Sequence, residues 1–396
     1  MKSKIRMTVP LQIVMDDFGW HKGKNSLVDG GPARTGINRD HEVEDITVVN
    51  KIGERIGMKI VCGLVLGEWD KDNVLRGMKH ATKYEDNWDR KSYIDMDKAN
   101  RFFDEIEKSD NIELAFHGLM HGYWVDGDNF GNPREFFSYD LPEGVTERRV
   151  DYPVVPVSAD YVESHVEAYF KIYNSWNFTK KIRTFISPAS LYKEVSLAEA
   201  YAERLEKYGF KFWKNGWNTI NDPVYMLRSI AFLLAKGGDF VDWNNFDIDP
   251  TKLTAQGEDD ETYLNAGSII GSHWANFVYS DAKTNLDYVD AWASYFISRG
   301  NVYGYMLSKD IAFCASQSLY REFADLSFEG NKCVIDTSKM KDIPTDEIKN
   351  EFYISVLDEL GEIRNIIGGK AEIYEVRDGH KIYRIVPEAE TTVLEF

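Results

Sequence analysis

The chain is poor in cysteine, with only Cys62, Cys314 and Cys333 among 396 residues. These are too few and too scattered for a disulfide framework or a thiolate zinc site, and they suit a reducing compartment. Cys62 lies inside the apolar run IVCGLVL and reads as core. No apolar run is long enough to span a bilayer. The N-terminus, MKSKIRMTVPLQIVMDDFGW, has cations but no apolar h-region ahead of its first strand-like stretch. It therefore reads as cytoplasmic, as would a chain trimmed of a leader. Positive charge is also short: 47 Lys plus Arg stand against 65 Asp plus Glu, a formal net charge of −18. No basic patch offsets this, which argues against nucleic acid and anionic membranes as partners. Neither solenoid or propeller repeats nor low-complexity tracts occur. Nothing in the sequence fixes an oligomeric state.

Apolar residues are plentiful at 43%, enough for a sizeable core. Short apolar runs alternate with amphipathic stretches, the βα signature. Strands are expected at 11–16, 59–66, 112–117, 181–187, 211–215, 239–243, 266–273 and 301–307. Helices are expected at 43–57, 96–109, 161–176, 196–209 and near 284–299. This predicts a distorted α/β barrel of about seven strands over residues 1–315. From about residue 322 to 396, short alternating runs divided by Gly-Gly, Asp-Gly and Pro turns predict a small, sandwich-like antiparallel β-domain. A hairpin turn is expected there at Asp378-Gly379.

Polar residues end several of these strands. Asp16-Asp17 close the first, His117 and His121 follow the third, a later one ends in Asp239-Phe-Val-Asp242-Trp243, and His273 ends the next. In a barrel these meet at one mouth, beside the long insertions at 20–42 and 67–95. Each alone has a plainer reading: a turn or helix cap for the aspartates, a chance pair for His117 and His121, a core histidine for His273. Their combination and order are harder to produce by accident.

In that order they resemble the polysaccharide deacetylase superfamily, carbohydrate esterase family four, also called the NodB-homology group. The resemblance covers roughly residues 8–310. Asp16-Asp17-Phe18-Gly19 matches the first motif, TFDDG. His117-Gly-Leu-Met-His121 matches H-[S/T]-x-x-H, with Gly118 in place of Ser or Thr. Asp239, Asp242 and Trp243 match D-x-x-D-W, and Ile269 to His273 match the apolar strand ending L-x-H, with Gly271 for the leucine. The third motif, R-x-P, departs. Pro188 is kept, but Ile186 stands at the arginine position, and Arg183 lies an odd number of residues away, on the other strand face.

The resemblance implies one divalent ion on Asp17, His117 and His121, with zinc the first choice and iron, cobalt or manganese also compatible. Asp16 would be the general base and His273 the acid, with Asp242 orienting the imidazole and Trp243 walling the acyl pocket. The implied reaction removes an N- or O-acetyl group from a sugar, oligosaccharide or polysaccharide. Independently, Trp20, Trp69, Trp124, Trp217, Trp243 and Trp274 all follow strand ends, and Trp20, Trp124, Trp243 and Trp274 are candidates to stack on a carbohydrate. The alternative for these rings is to cap the barrel mouth. Competing functions are a metal-free glycosidase using Asp16 and Asp242, and a non-catalytic carbohydrate-binding protein on a deacetylase scaffold. A relative acting on a small amide, a cyclic imide or a nucleotide-linked sugar is a third.

Overall fold

A computed structural model describes residues 4–24, 34–124, 134–139, 154–188, 195–215, 225–234, 245–253 and 267–396. Its centre is a nine-stranded sheet. We label the main strands β1 (Val9–Phe18), β2 (Ile60–Leu64), β3 (Ile112–Phe116), β4 (Thr184–Ile186), β5 (Phe212–Asn215), β6 (Ile230–Leu234), β7 (Ile269–His273) and β8 (Tyr305–Leu307). The order is β7-β1-β2-β3-β4-β5-β6, with β8 also on β1 and the short strand Met226–Leu227 on β6. All neighbours are parallel except that last pair. Among the described residues the sheet is open. The expected barrel is therefore realised only as a mixed α/β fold around a parallel-rich sheet. The strand expected at 239–243 lies outside the described residues.

Parallel strands are buried on both faces, and their alternation sorts two cores. Ile13, Cys62, Leu114, Phe185, Trp213, Phe232 and Ile270 pack on the face covered by α1 (Val43–Ile56), α2 (Met96–Lys108), α3 (Ala159–Ser175), α4 (Val195–Glu206) and α5 (Val289–Gly300). Their strand neighbours Val14, Val61, Ala115, Ile186, Phe212, Ala231 and Ile269 form the inner face. That face packs against Ile311, Cys314 and Ala315 of α6 (Ile311–Phe323). Neither α6 nor β6 is anticipated by the sequence reading. A helix buried along much of its length lacks the polar stripe that periodicity relies on. It begins where Asp310 accepts the Phe313 N–H at 2.7 Å.

The C-terminal residues form two four-stranded antiparallel sheets. One joins Ile5–Met7, Phe352–Leu357, His380–Pro387 and Gly369–Arg377, so the N-terminus contributes a strand. The other joins Asp325–Glu329, Lys332–Asp336, Thr391–Glu395 and Asn365–Ile367. Ile354 and Ile385 of the first pack with Ile335 and Leu394 of the second in one cluster, which also takes in Leu319 of α6. The two-residue turn at Asp378-Gly379 is present. Among the described residues no helix is long and apolar enough to cross a membrane.

Candidate metal centre

Strand period explains why so many polar groups converge. Asp16, His117, Lys214 and His273 share inner-face parity with Val14, Ala115, Phe212 and Ile269, and all stand at C-terminal strand ends. Asp16 and His273 are register partners on adjacent strands. A regular strand cannot turn two consecutive side chains to one side. The β1–β2 register shifts between Met15 and Phe18, and Asp17 has φ 63°, so the irregularity brings Asp17 in beside Asp16. His121 is also left-handed, at φ 50°. Such backbone strain in two residues of one cluster is characteristic of functional sites.

Asp17, His117 and His121 are buried, and one ligand atom from each lies within 4.8 Å of the others. Asp17 Oδ1 is 3.4 Å from Nε2 of both histidines. Two donors about 2.1 Å from one tetrahedral ion stand about 3.4 Å apart, so the spacing fits a shared divalent cation. Asp17 Oδ1 and His117 Nε2 are buried and face only each other and His121, with no well-formed hydrogen bond to any other group, so an ion between them would complete their contacts. His117 Nδ1 lies 2.9 Å from the Ile186 carbonyl. That acceptor places the ring proton on Nδ1 and turns the Nε2 lone pair inward. Gly63, on the neighbouring strand, leaves room for the ring, since a Cβ there would stand 3.0 Å from the His117 Cβ.

The electrostatics agree. Burial opposes the Asp17 charge, but His121, His117 and His273 outweigh it and hold the carboxyl well below its usual range. Burial also works against a charged His117, yet Asp17, Asp16 and the Ile186 carbonyl raise its pKa. For His121 burial prevails, and the pKa falls. His273 Nε2 stands 4.0 Å from Asp17 Oδ2, with its side chain part-exposed.

Two residues outside the motifs reach the site. Lys214 Nζ donates to Asp16 at 2.7 and 3.0 Å, with both side chains largely buried. Burial raises the Asp16 pKa, and Lys214, His117 and His273 pull it down further than that. A lysine in the apolar run KFWKN, on the strand face of Phe212, was the available signal. The other is Glu135, which accepts the His121 backbone N–H at 2.7 Å and which no sequence pattern marks. Arg183 does not reach the site: it pairs with Glu347 and sits over the ring of Phe212, an inner-face residue, so its place just before the start of β4, rather than the opposite strand face, keeps it away.

Trp20, Trp69, Trp124 and Trp274 belong to the packing. Trp20, Trp124 and Trp274 have exposures of 0%, 1% and 0%, so none presents a face on which a sugar could stack. Trp274 stacks on His41 and donates to the Asp45 carbonyl, and Trp69 donates to the Gly19 carbonyl. Asp239, Asp242, Trp243 and Trp217 lie outside the described residues. The insertions after β1 and β2 are joined through buried Glu68, which accepts N–H groups of His21 and Lys22 and pairs with Arg34 at 2.5 Å.

No family model matches the sequence, and comparison with curated proteins finds no match. Among solved structures the chain is similar to the crystal structure of Agd3, described as a novel carbohydrate deacetylase. Identity is 9%, the TM-score is 0.48, and the likeness covers 98% of this chain and 65% of the other. The chain thus spans a little under two thirds of that protein's length.

Proposed function

We propose that the chain is a metal-dependent hydrolase that removes an acyl group, in the first instance N-acetyl, from a sugar or oligosaccharide. The observation that carries this reading is the convergence of buried Asp17 Oδ1 and His117 Nε2 with His121 at metal-ligand spacing. The motif order read from the sequence supports it. A divalent ion held by these residues, zinc being the natural choice for an O/N set, supplies Lewis-acid polarisation of the acyl carbonyl and activation of water.

The chain's own residues do the rest. Asp16 takes the proton of the attacking water as general base. Lys214 holds that carboxylate ionised and aimed, the part the third-motif arginine plays in the resembled family. His273, part-exposed on the adjacent strand, delivers a proton to the departing nitrogen or oxygen. Asp242 orients that imidazole and Trp243 walls the acyl pocket, as the sequence resemblance implies.

The test is elemental analysis of wild type and a His117→Ala/His121→Ala double variant, both purified without added metal. About one transition-metal ion per wild-type chain, lost in the variant, with chelator-sensitive acetate release from N-acetyl sugars, supports the proposal. A wild type that binds added zinc or cobalt no better than the variant overturns it, and the glycosidase and binding-protein readings then lead.

A further inference from the structure

The segment Leu119 to His121 is a row of backbone N–H groups curled around a carboxylate. Glu135 Oε1 accepts the Leu119 N–H at 2.9 Å, and Oε2 accepts those of Met120 and His121 at 3.1 and 2.7 Å. Successive N–H groups turned to one side make an anion-binding concavity. Here the anion belongs to the chain itself. Glu135 is fully buried, and His165 Nδ1 on α3 closes its remaining side at 2.7 Å from Oε1. His165 is itself buried, so the carboxylate is held from both directions.

Gly118 explains how the carboxylate gets so close. A Cβ at this position would stand 2.4 Å from Oε2 and 2.8 Å from Cδ of Glu135. The residue also has φ 89°, a conformation that side chains resist. The position where the resembled motif carries Ser or Thr is therefore emptied of its side chain, and a carboxylate from another segment fills the space.

We infer that Glu135 is a positioning residue for metal binding: it fixes the left-handed turn that aims His121 at the ion, with Gly118 as its socket and His165 as its brace. This rests on the metal reading of Asp17, His117 and His121. The geometry accounts for the strained His121 backbone, since a φ of 50° persists where surrounding bonds over-determine it. Of the three backbone N–H groups on the carboxylate, that of His121 makes the shortest bond. Glu135→Gln keeps the shape but replaces one acceptor oxygen with an N–H₂ facing other donors.

The experiment is a Co²⁺ titration of metal-free full-length protein, followed by the visible absorption of the bound ion, for wild type, Glu135→Gln, Glu135→Asp and Gly118→Ala. Loss of a partner that orients a ligand typically weakens metal binding about 10–100-fold, and that loss is expected for Glu135→Gln together with a changed cobalt band. Glu135→Asp, which keeps the charge on a shorter arm, should recover part of both. Gly118→Ala, which crowds the carboxylate and also strains the turn itself at φ 89°, should also weaken binding. Should Glu135→Gln fail to fold by circular dichroism, the Asp and Gly118→Ala variants decide on the same readouts. Wild-type affinity and an unchanged band in a folded Glu135→Gln, or in both of the other variants, overturn the inference and leave the hydrolase proposal standing. A wild type that takes up no Co²⁺ overturns both.

Discussion

Lys214 Nζ lies 2.7 Å from Asp16 Oδ2, although their strands stand four places apart in the sheet order β1-β2-β3-β4-β5. In a flat sheet four strand spacings separate residues by roughly 19 Å. The contact therefore exists only because the sheet curls, and the curl brings a cation to the base through space rather than along the chain.

Replacing that cation should cost turnover and spare metal binding. Lys214→Met removes the strongest charge acting to lower the Asp16 pKa, so that pKa rises and the ionised base is lost at higher pH. We expect kcat to fall by about two orders of magnitude, within the range of general-base contributions. The acidic limb of kcat/KM should move to higher pH at unchanged metal content. Lys214→Arg should restore much of the rate. An unmoved pH profile in Lys214→Met would remove Asp16 from the role of base.

Protons should compete with the ion. In the metal-free protein burial disfavours a charged His117, but Asp17 and Asp16 raise its pKa above 6.5, whereas Asp17 stays ionised far below neutrality. Binding must displace the imidazole proton, so affinity weakens as pH falls through the His117 pKa. The slope should approach about tenfold per pH unit below it. Cobalt titrations between about pH 5.5 and 8 read this slope directly. A flat dependence would mean that the imidazoles are not ligands.

Glu68 ties the two long insertions together. Burial opposes its charge, but Arg34, His21 and Arg90 bring its pKa down from 4.5 to about 2. A carboxyl depressed on folding stabilises above its unfolded pKa and loses that contribution as pH falls through the folded value. The acid loss from this group thus falls between about pH 4.5 and 2. Glu68→Gln leaves Arg34 buried without its charge partner and should cost about 3–5 kcal/mol. Urea unfolding at neutral pH measures it, and a change below about 1 kcal/mol would show that the pair does not hold these segments.

Trp274 should behave as core. Its ring is fully buried against His41, so Trp274→Ala should lower stability by about 3–5 kcal/mol. Sugar KM should stay unchanged at temperatures where the variant is folded. A raised KM with unchanged unfolding would restore the ring to the substrate surface.

Much of the candidate site was legible because its residues obey local rules. Asp17, His117 and His121 sit where apolar strands end, and strand period puts Asp16, His117 and His273 on one inner face. The buried alternation and the Asp378-Gly379 hairpin were equally local. The tryptophans were not. Their place after strand ends suits a sugar platform or a packed mouth, and only the burial of Trp20, Trp124 and Trp274 separates the two.

The sequence by itself determined most of the parallel strands, the candidate donor set and the order in which its members arrive, because hydrophobic period and strand ends are properties of contiguous residues. Only the tertiary structure decided that the sheet stays open among the described residues and that Lys214 meets Asp16. It alone placed Glu135 in the space left by Gly118. These are contacts between segments far apart in the chain, set by sheet curvature and loop packing, and no local pattern encodes them.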